Sequence, residues 1–379
     1  MERKYDILLF GASGFTGQLI AAYLADRAAS EGIQWAIAGR NRQKLEQLKA
    51  SLVGQQPDVV VADVDNPESL EQMAAQTRVV MNAVGPFNWY GKGVVKACVE
   101  QGAHYLDITG EPSFVADIFL TYGKAAEEKG ICIVNCCGFD SIPADYVAWL
   151  TAKQLPLEEP KSLRGYIRTN ASFSGGTFTT AIHALYMETQ QRSVKVKLPR
   201  HPSTPRVPLK IHYQKELKAW AIPMPVVDPH IVKRSAYRLP NEYGEGVAYG
   251  QFFLRSSLWK VVKTVLPVLL TMLLVRFSFF RAWLFRQAPP GTGPDEAMRL
   301  RSRFEVVCIG ESRNKTVRTV ISGGDPGYNE TAKMFSEAAF TMVERDNASI
   351  LPLGVLTPVE AFGSVLKDRL QRAGIFFSI

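Results

Sequence analysis

Residues 5–17 read Tyr5-Asp-Ile-Leu-Leu-Phe10 and then, without a break, Gly11-Ala-Ser-Gly14-Phe-Thr-Gly17. An apolar run of strand length empties into three glycines at a spacing of three. In a strand–turn–helix the first glycine permits the tight turn, and the second lets backbone approach a pyrophosphate. The third lets the helix pack close to the turn, and the helix N-terminus then faces the anion. A glycine triplet alone is a weak signal; here a strand precedes it and a helical pattern follows. The stretch predicts a dinucleotide site built from Gly11, Ser13, Gly14, Phe15, Thr16 and Gly17.

Outward from this loop, the same rhythm continues to about residue 135. Strand-like runs fall at Trp35–Ala38, Val59–Ala62, Val79–Asn82, Tyr105–Asp107 and Cys132–Asn135. Helical patterns lie between them: Leu45, Leu48 and Leu52 share one face of Lys44–Leu52, and Asn66-Pro67-Glu68 reads as an N-cap, a first-turn proline and a first-turn acid. Strands alternating with helices predict an α/β, doubly wound parallel sheet of the Rossmann kind.

The strand ends carry the specificity signals. Where an NAD site places an Asp or Glu to bind the ribose 2′-hydroxyl, this chain has Ala38-Gly39-Arg40-Asn41-Arg42. A carboxylate repels a 2′-phosphate and a guanidinium pairs with it, so Gly39 and Arg40 predict NADP(H). Asp63 follows the third strand, within reach of an adenine edge. Asn82-Ala-Val-Gly85-Pro86-Phe87 closes the fourth on the nicotinamide side, although the same residues equally describe a plain Gly-Pro turn.

Beyond residue 140 the pattern changes. Leu163–Thr169 and Phe304–Ile309 are strand-like, and 196–245 is rich in proline and basic residues. We expect three segments: 1–140 as the Rossmann domain, 141–325 as an inserted second α+β domain, and 326–379 as a segment returning to the first. The last contains a capping box with a first-turn proline at Thr357-Pro-Val-Glu360, apolar positions Val359, Phe362, Leu366 and Leu370 at helical spacing, a stop at Gly374, and a short strand over Ile375–Ile379.

The composition, 379 residues with 46% hydrophobic and 21% charged, excludes a disordered tail, a collagen-like chain and a small secreted scaffold. Five irregularly placed cysteines make neither a disulfide framework nor a metal-ligand spacing, and fit a reducing compartment. The N-terminal residues carry no signal-peptide pattern, so the expected location is cytoplasmic.

The net charge of +8 is concentrated: residues 191–286 hold 17 Lys/Arg against 4 Asp/Glu, and the rest of the chain 27 against 32. Within that block Thr264–Val275 is a charge-free run of twelve residues. As a helix it extends ~18 Å, short of a ~30 Å hydrocarbon core. Lys260, Lys263, Arg276, Arg281 and Arg286 border Leu269, Leu270, Leu273, Leu274, Phe277 and Phe280. That mixture predicts a peripheral membrane or lipid contact, with a buried helix or a homodimer contact as the alternative. It lacks any groove-reading motif, so no nucleic-acid partner is expected.

With these residues in view, the chain resembles the saccharopine dehydrogenase-like oxidoreductases, which include bacterial trans-acting enoyl reductases. The matching stretches are residues 10–18, 38–42, 84–87 with Tyr90-Gly91, 107–112, 138–145, 174–177 and 324–328, and the closing Gly374-Ile-Phe-Phe-Ser378 also fits. The resemblance implies a Rossmann domain completed by the C-terminal segment, NADP-type chemistry, and reduction of a carbon–carbon double bond in glycolipid and polyketide lipid assembly. Animal members are associated with lipid droplets and membranes. A saccharopine-type substrate would need carboxylate-binding arginines, which no motif here supplies.

Catalytic signals are sparse. No tyrosine has a lysine four positions on, so the Tyr-x-x-x-Lys proton relay is absent as a motif. Tyr90 is the first candidate proton donor, with aromatic packing as the alternative. Ser174-Gly175-Gly176-Thr177, opening a helix that holds His183, and Glu111 are candidate substrate contacts. Asp107 and Glu111 have turn capping as the alternative, Asp140 and Asp145 flank the next helix, and Cys136-Cys137 read as buried small residues. The expectation is an NADP(H)-dependent oxidoreductase acting on an enoyl or carbonyl group of a lipid-like or acyl-carrier-bound substrate. The alternatives are a non-catalytic NADP-binding module that docks on membranes or lipid droplets, and a soluble amino-acid reductase.

Overall fold

A computed structural model describes residues 3–171, 196, 198–287 and 293–379. The chain forms two compact units: Met1–Ile142 with Gly327–Ala373, and Pro143–Pro326 with Gly374–Ile379.

The first unit is a parallel sheet. Its elements run β1 (Tyr5–Phe10), α1 (Phe15–Glu31), β2 (Trp35–Gly39), α2 (Arg42–Ser51), β3 (Asp58–Val61), α3 (Pro67–Ala75), β4 (Thr77–Asn82), α4 (Phe87–Gln101), β5 (His104–Asp107), α5 (Pro112–Glu128) and β6 (Cys132–Val134). With β13 (Gly354–Leu356) from the C-terminal segment, the strand order is β13-β6-β5-β4-β1-β2-β3, every pair parallel. Leu8, Leu9, Val79 and Val80 are fully buried, because helices cover both faces of such a sheet. The order reverses between β1 and β4, and the register sets Phe10 beside both Ala38 and Asn82. The loops after β1, β2 and β4 therefore leave the sheet at the switch point, where a doubly wound fold binds its ligand.

At the opposite end of the strands, Arg3 ties two helix ends together. One of its amino groups donates to Ala74 O and Thr77 O (2.8 and 2.7 Å), the other to Gln101 O and Gly102 O (2.6 and 2.9 Å). Carbonyls at the C-terminal ends of α3 and α4, and that of Thr77 at the start of β4, are met by one cation, with the helix dipoles favouring it.

Residues from the C-terminal segment complete this unit through α12 (Asn329–Asn347), β13 (Gly354–Leu356), which pairs with β6, and α13 (Pro358–Arg372), opened by the expected capping box. Arg369 is buried and pairs with Glu31 (2.7 Å), Glu337 (2.8 Å) and Glu344 (3.3 Å); Tyr23 donates to Glu337 as well (2.7 Å). These contacts join α1, α12 and α13.

The second unit is a mixed sheet, of order β14-β12-β11-β7-β10-β9-β8. Its strands are β7 (Lys161–Thr169), β8 (His212–Gln214), β9 (Ala219–Pro223), β10 (Val247–Arg255), β11 (Phe304–Glu311), β12 (Thr316–Gly323) and β14 (Phe376–Ser378). Only β7 and β10 pair in parallel. Its helices are α6 (Ile142–Ala152), α7 (Asp228–Arg238), α8 (Pro240–Tyr243), α9 (Leu258–Leu274), α10 (Ser278–Gln287) and α11 (Glu296–Arg301).

One expectation needs correcting. The C-terminal segment does not return whole to the first unit. Gly374, at φ 88, turns the chain out of α13, and Phe376–Ser378 pair with Ser322–Val320 of β12. The outer edge of β12 presents unpaired backbone groups, and the short apolar strand satisfies them.

Candidate functional site

The glycine loop has the close contacts its spacing predicts. Gly11 has φ +91, and a Cβ there would lie 2.8 Å from Val84 Cγ2. A Cβ on Gly17 would lie 2.2 Å from the carbonyl oxygen of Gly11, so α1 sits against the turn with no room for a side chain. Gly14 is the N-cap of α1, without a side-chain cap, and no acid occupies the first turn. The amide end of the helix dipole is left to an anion. Ser13 Oγ lies 3.8 Å from the Cβ position of Gly39, so this loop borders the end of β2. Arg40 follows there, exposed and without an ion pair among the described residues, while Asn41 caps α2 by accepting from Lys44 N (3.0 Å).

Three of the expected site residues hydrogen-bond within or between the loops that carry them. Asn82 is fully buried; its Nδ2 donates to Tyr105 Oη and its Oδ1 accepts from Val84 N (both 3.0 Å). Its amide is used in shaping the turn that carries Gly85 and Pro86, which are joined by a cis peptide bond. Asp63 lies two residues past β3 and accepts from Asp65 N (3.1 Å), an Asx turn that uses one of its oxygens.

Glu111, expected at the substrate, is 1% exposed. It accepts from Phe87 N (2.7 Å) and Asn88 N (3.0 Å), and from the Asn88 side-chain amide. It therefore caps α4, whose own N-cap is Pro86 and cannot. Burial raises the Glu111 pKa, and these hydrogen bonds oppose the rise.

Asp107 ends β5 and is fully buried. It accepts from Thr109 N (3.1 Å), Cys136 N (3.0 Å) and Asn135 Nδ2 (2.6 Å), drawing together the loops after β5 and β6. Burial pushes its pKa up to about 6 from an ordinary 3.8, against these hydrogen bonds. The folded protein thus holds a proton that the unfolded chain releases, and Asp107 makes stability fall as pH rises from about 4 to about 6. Two units correspond to roughly 2–3 kcal/mol. Denaturation of the wild type and Asp107→Asn across pH 4–7 should give a difference that changes by about that much, the variant lacking the fall; a pH-independent difference would refute the assignment.

Tyr90 lies in the first turn of α4, half-buried, with its ring edge-on to Trp89 at 6.1 Å. Cys136 and Cys137 are fully buried, and burial holds the Cys137 thiol well above its ordinary pKa, so neither is a ready nucleophile. Asp145 lies in the first turn of α6 and accepts from Ser235 Oγ (2.6 Å). Ser174, Gly175, Gly176, Thr177 and His183 lie outside the described residues.

Two further residues lie beside these loops, of which only one has a signal in its own neighbourhood of the sequence. Tyr328 stands edge-on to Phe15 of the glycine loop (5.1 Å), and Thr331 Oγ1 accepts from Phe139 N (3.1 Å). The motif at 324–328 marked the first; nothing local marked the second.

A parallel switch point, a glycine turn against an uncapped helix, and an arginine after β2 define a dinucleotide-binding oxidoreductase of the NADP type. Residues 7–134 match the saccharopine dehydrogenase NADP binding domain family. The chain is 32% identical to the saccharopine dehydrogenase-like oxidoreductase of Mus musculus, over 100% of this chain and 98% of the relative. It is 31% identical to a Mycobacterium tuberculosis protein named as a trans-acting enoyl reductase, over 98% and 97%. It is also 31% identical to the lipid droplet localized protein of Caenorhabditis elegans, over 99% and 98%. The apo saccharopine dehydrogenase (L-Glu forming) of Saccharomyces cerevisiae shares the fold, with a TM-score of 0.55 at 15% identity over 99% of both chains. The chain belongs to the saccharopine dehydrogenase-like oxidoreductase family and is an NADP-dependent oxidoreductase.

Proposed function

We propose that this oxidoreductase reduces an enoyl double bond or a carbonyl of a lipid-like or carrier-bound acyl substrate, at a membrane surface. The observation that carries the reading is the exposed apolar surface of α9 and α10. Trp259 is 65% exposed, Leu269 51%, Leu273 55% and Phe279 72%, and Val261 is the one buried residue of α9. Residues 258–287 contain five basic residues and no acid. Lys260, Thr264 and Thr271 fall at helical spacing and form a narrow polar stripe on α9, with Pro267 between the two threonines. Among the described residues no helix is long and apolar enough to cross a membrane. An interfacial helix with its polar stripe at the headgroups and Leu269, Leu270, Leu273, Leu274, Phe277 and Phe280 among acyl chains accounts for this pattern. The enzyme would then meet a substrate that partitions into the same layer. The trans-acting enoyl reductase name of one relative and the lipid droplet name of another agree with it.

NADPH supplies a hydride when bound. The bare helix end at Gly14–Gly17 and the Gly11 turn fit its pyrophosphate, with Ser13, Phe15 and Thr16 in the same loop; Gly39 and Arg40 fit the 2′-phosphate side, and Gly85 and Pro86 the nicotinamide side. Asp63, Asn82 and Glu111 support these loops from behind. Tyr90 is retained as the proton-donor candidate. Arg40→Ala is expected to weaken NADPH about 10- to 30-fold, the loss of an exposed charge-assisted contact, and to leave NADH unchanged. Equal weakening of both, measured by titration, would refute the specificity argument.

The membrane reading is tested by replacing Leu273, Leu274 and Phe277 with serine. Loss of this burial should lower binding to anionic vesicles about 100-fold while NADPH binding stays unchanged. NADPH oxidation is then followed with enoyl and ketoacyl thioesters in vesicles. Turnover of a polar imine by a protein that ignores vesicles would replace this function with amino-acid reduction.

A further inference from the structure

We infer that the outer face of the β8–β9–β10 edge is a second lipid contact, one that binds phospholipid headgroups beside the embedded α9–α10. The inference rests on the membrane reading of those helices. Cross-strand partners share one face of a sheet, and here Tyr213 pairs with Trp220, which pairs with Arg255. The row points away from the core on the other face, where Ala219, Ala221, Phe252 and Leu254 pack. Its far end meets α9: Arg255 Nε donates to Thr264 Oγ1 at 2.9 Å. Thr264 belongs to the polar stripe of α9, so the row and the stripe are continuous.

The chemistry of the row is that of a headgroup layer. Tyr213, 47% exposed, and Trp220 stand edge to face at 5.5 Å, each with an apolar body and a polar handle of the kind that collects at membrane interfaces. The Arg255 guanidinium lies over the Phe253 ring at 4.1 Å. Its Nε is used by Thr264, and its two amino groups have no partner among the described residues. That leaves a fixed, planar pair of donors suited to a phosphate. Lys210, Lys215 and Lys218 are exposed around the same strands, against one acid, Glu216, in residues 198–227. Exposed lysines alone serve to blunt an edge strand. The aromatic pair and the half-used arginine are what assign the face to phosphate-bearing lipid.

The test uses the full chain with nitroxide labels. All five native cysteines are buried, so Lys215→Cys and Phe279→Cys can each be labelled selectively. On vesicles of phosphatidylcholine and phosphatidylserine, the label at 279 should move into the acyl region, reached by oxygen and not by a nickel chelate. The label at 215 should lose part of its nickel accessibility, as a headgroup-level site does. If 279 is embedded and 215 stays as open as in solution, the second contact is overturned and the membrane reading stands; if both stay open, both fall. Arg255→Gln should weaken binding about 10-fold to these vesicles and not to vesicles of an uncharged, phosphate-free glycolipid. Equal loss on both would overturn phosphate recognition, and so would inorganic phosphate binding that matches the vesicles.

Discussion

Replacement of Arg369 with leucine is expected to destabilise the first unit by about 3–5 kcal/mol, the largest single-residue effect we foresee. Arg369 and Glu337 are 7% and 1% exposed, and the cation, carried by α13, meets three carboxylates drawn from α1 and α12. Leucine removes the cation and leaves Glu337 buried with only Tyr23 as donor. An unpaired buried carboxylate costs far more than an exposed ion pair gains, because burial removes its water. The double variant with Glu337→Leu should recover much of the loss, since removing both charges removes the desolvation penalty. Chemical denaturation measures the stability, and limited proteolysis within 327–373 reports whether the loss is local. A cost below about 1 kcal/mol, or a double variant no better than the single, would show that the network is peripheral.

Gly17→Ala should abolish useful NADPH binding. The added Cβ would stand 2.2 Å from Gly11 O and 2.9 Å from two Ala12 backbone atoms, with no flexible side chain in the way to move aside. Relief requires α1 to shift by roughly 1 Å, which for a positioned group costs about 100-fold. Overpacking of this kind also destabilises by about 1–3 kcal/mol. Fluorescence titration with NADPH separates the two effects, because the fold at 25 °C can be checked independently. A folded variant that binds NADPH within a few-fold of wild type would mean that the glycine loop is not the pyrophosphate site.

The first sheet was legible because its signals are local. β1 follows the run Tyr5–Phe10 to the residue, and the N-cap at Asn66 and the capping box at Thr357 lie where side-chain chemistry puts them. β13 was not legible, since a three-residue strand has no period of its own and exists by pairing with β6. The destination of residues 376–378 was also hidden: their apolar character asks for a strand partner but does not say which sheet edge supplies it.

In the candidate site, the glycines and Arg40 stand out in the sequence because backbone approach and charge sign constrain residue type directly. Acids at strand ends do not, because a carboxylate aimed at a ligand and one aimed at a backbone amide look alike in sequence. Glu111 and Asp107 are of the second kind, identified only by the amides of Phe87, Asn88, Thr109 and Cys136 that face them. The polar stripe of α9 was hidden by the hydrophobicity around it, and its link to the β10 edge runs through one hydrogen bond from Arg255 to Thr264.

The division of residues 327–379 between the two units has a consequence for how the protein comes into being. While the ribosome is still making residues 327–373, the first sheet lacks β13 and Glu31 lacks its arginine; until 374–379 follow, β12 has an open edge. Neither unit can finish folding as it emerges. Both stay exposed to proteases and to aggregation until residues 327–379 are available, so a frameshift shortly before 327 should leave both units incomplete at once.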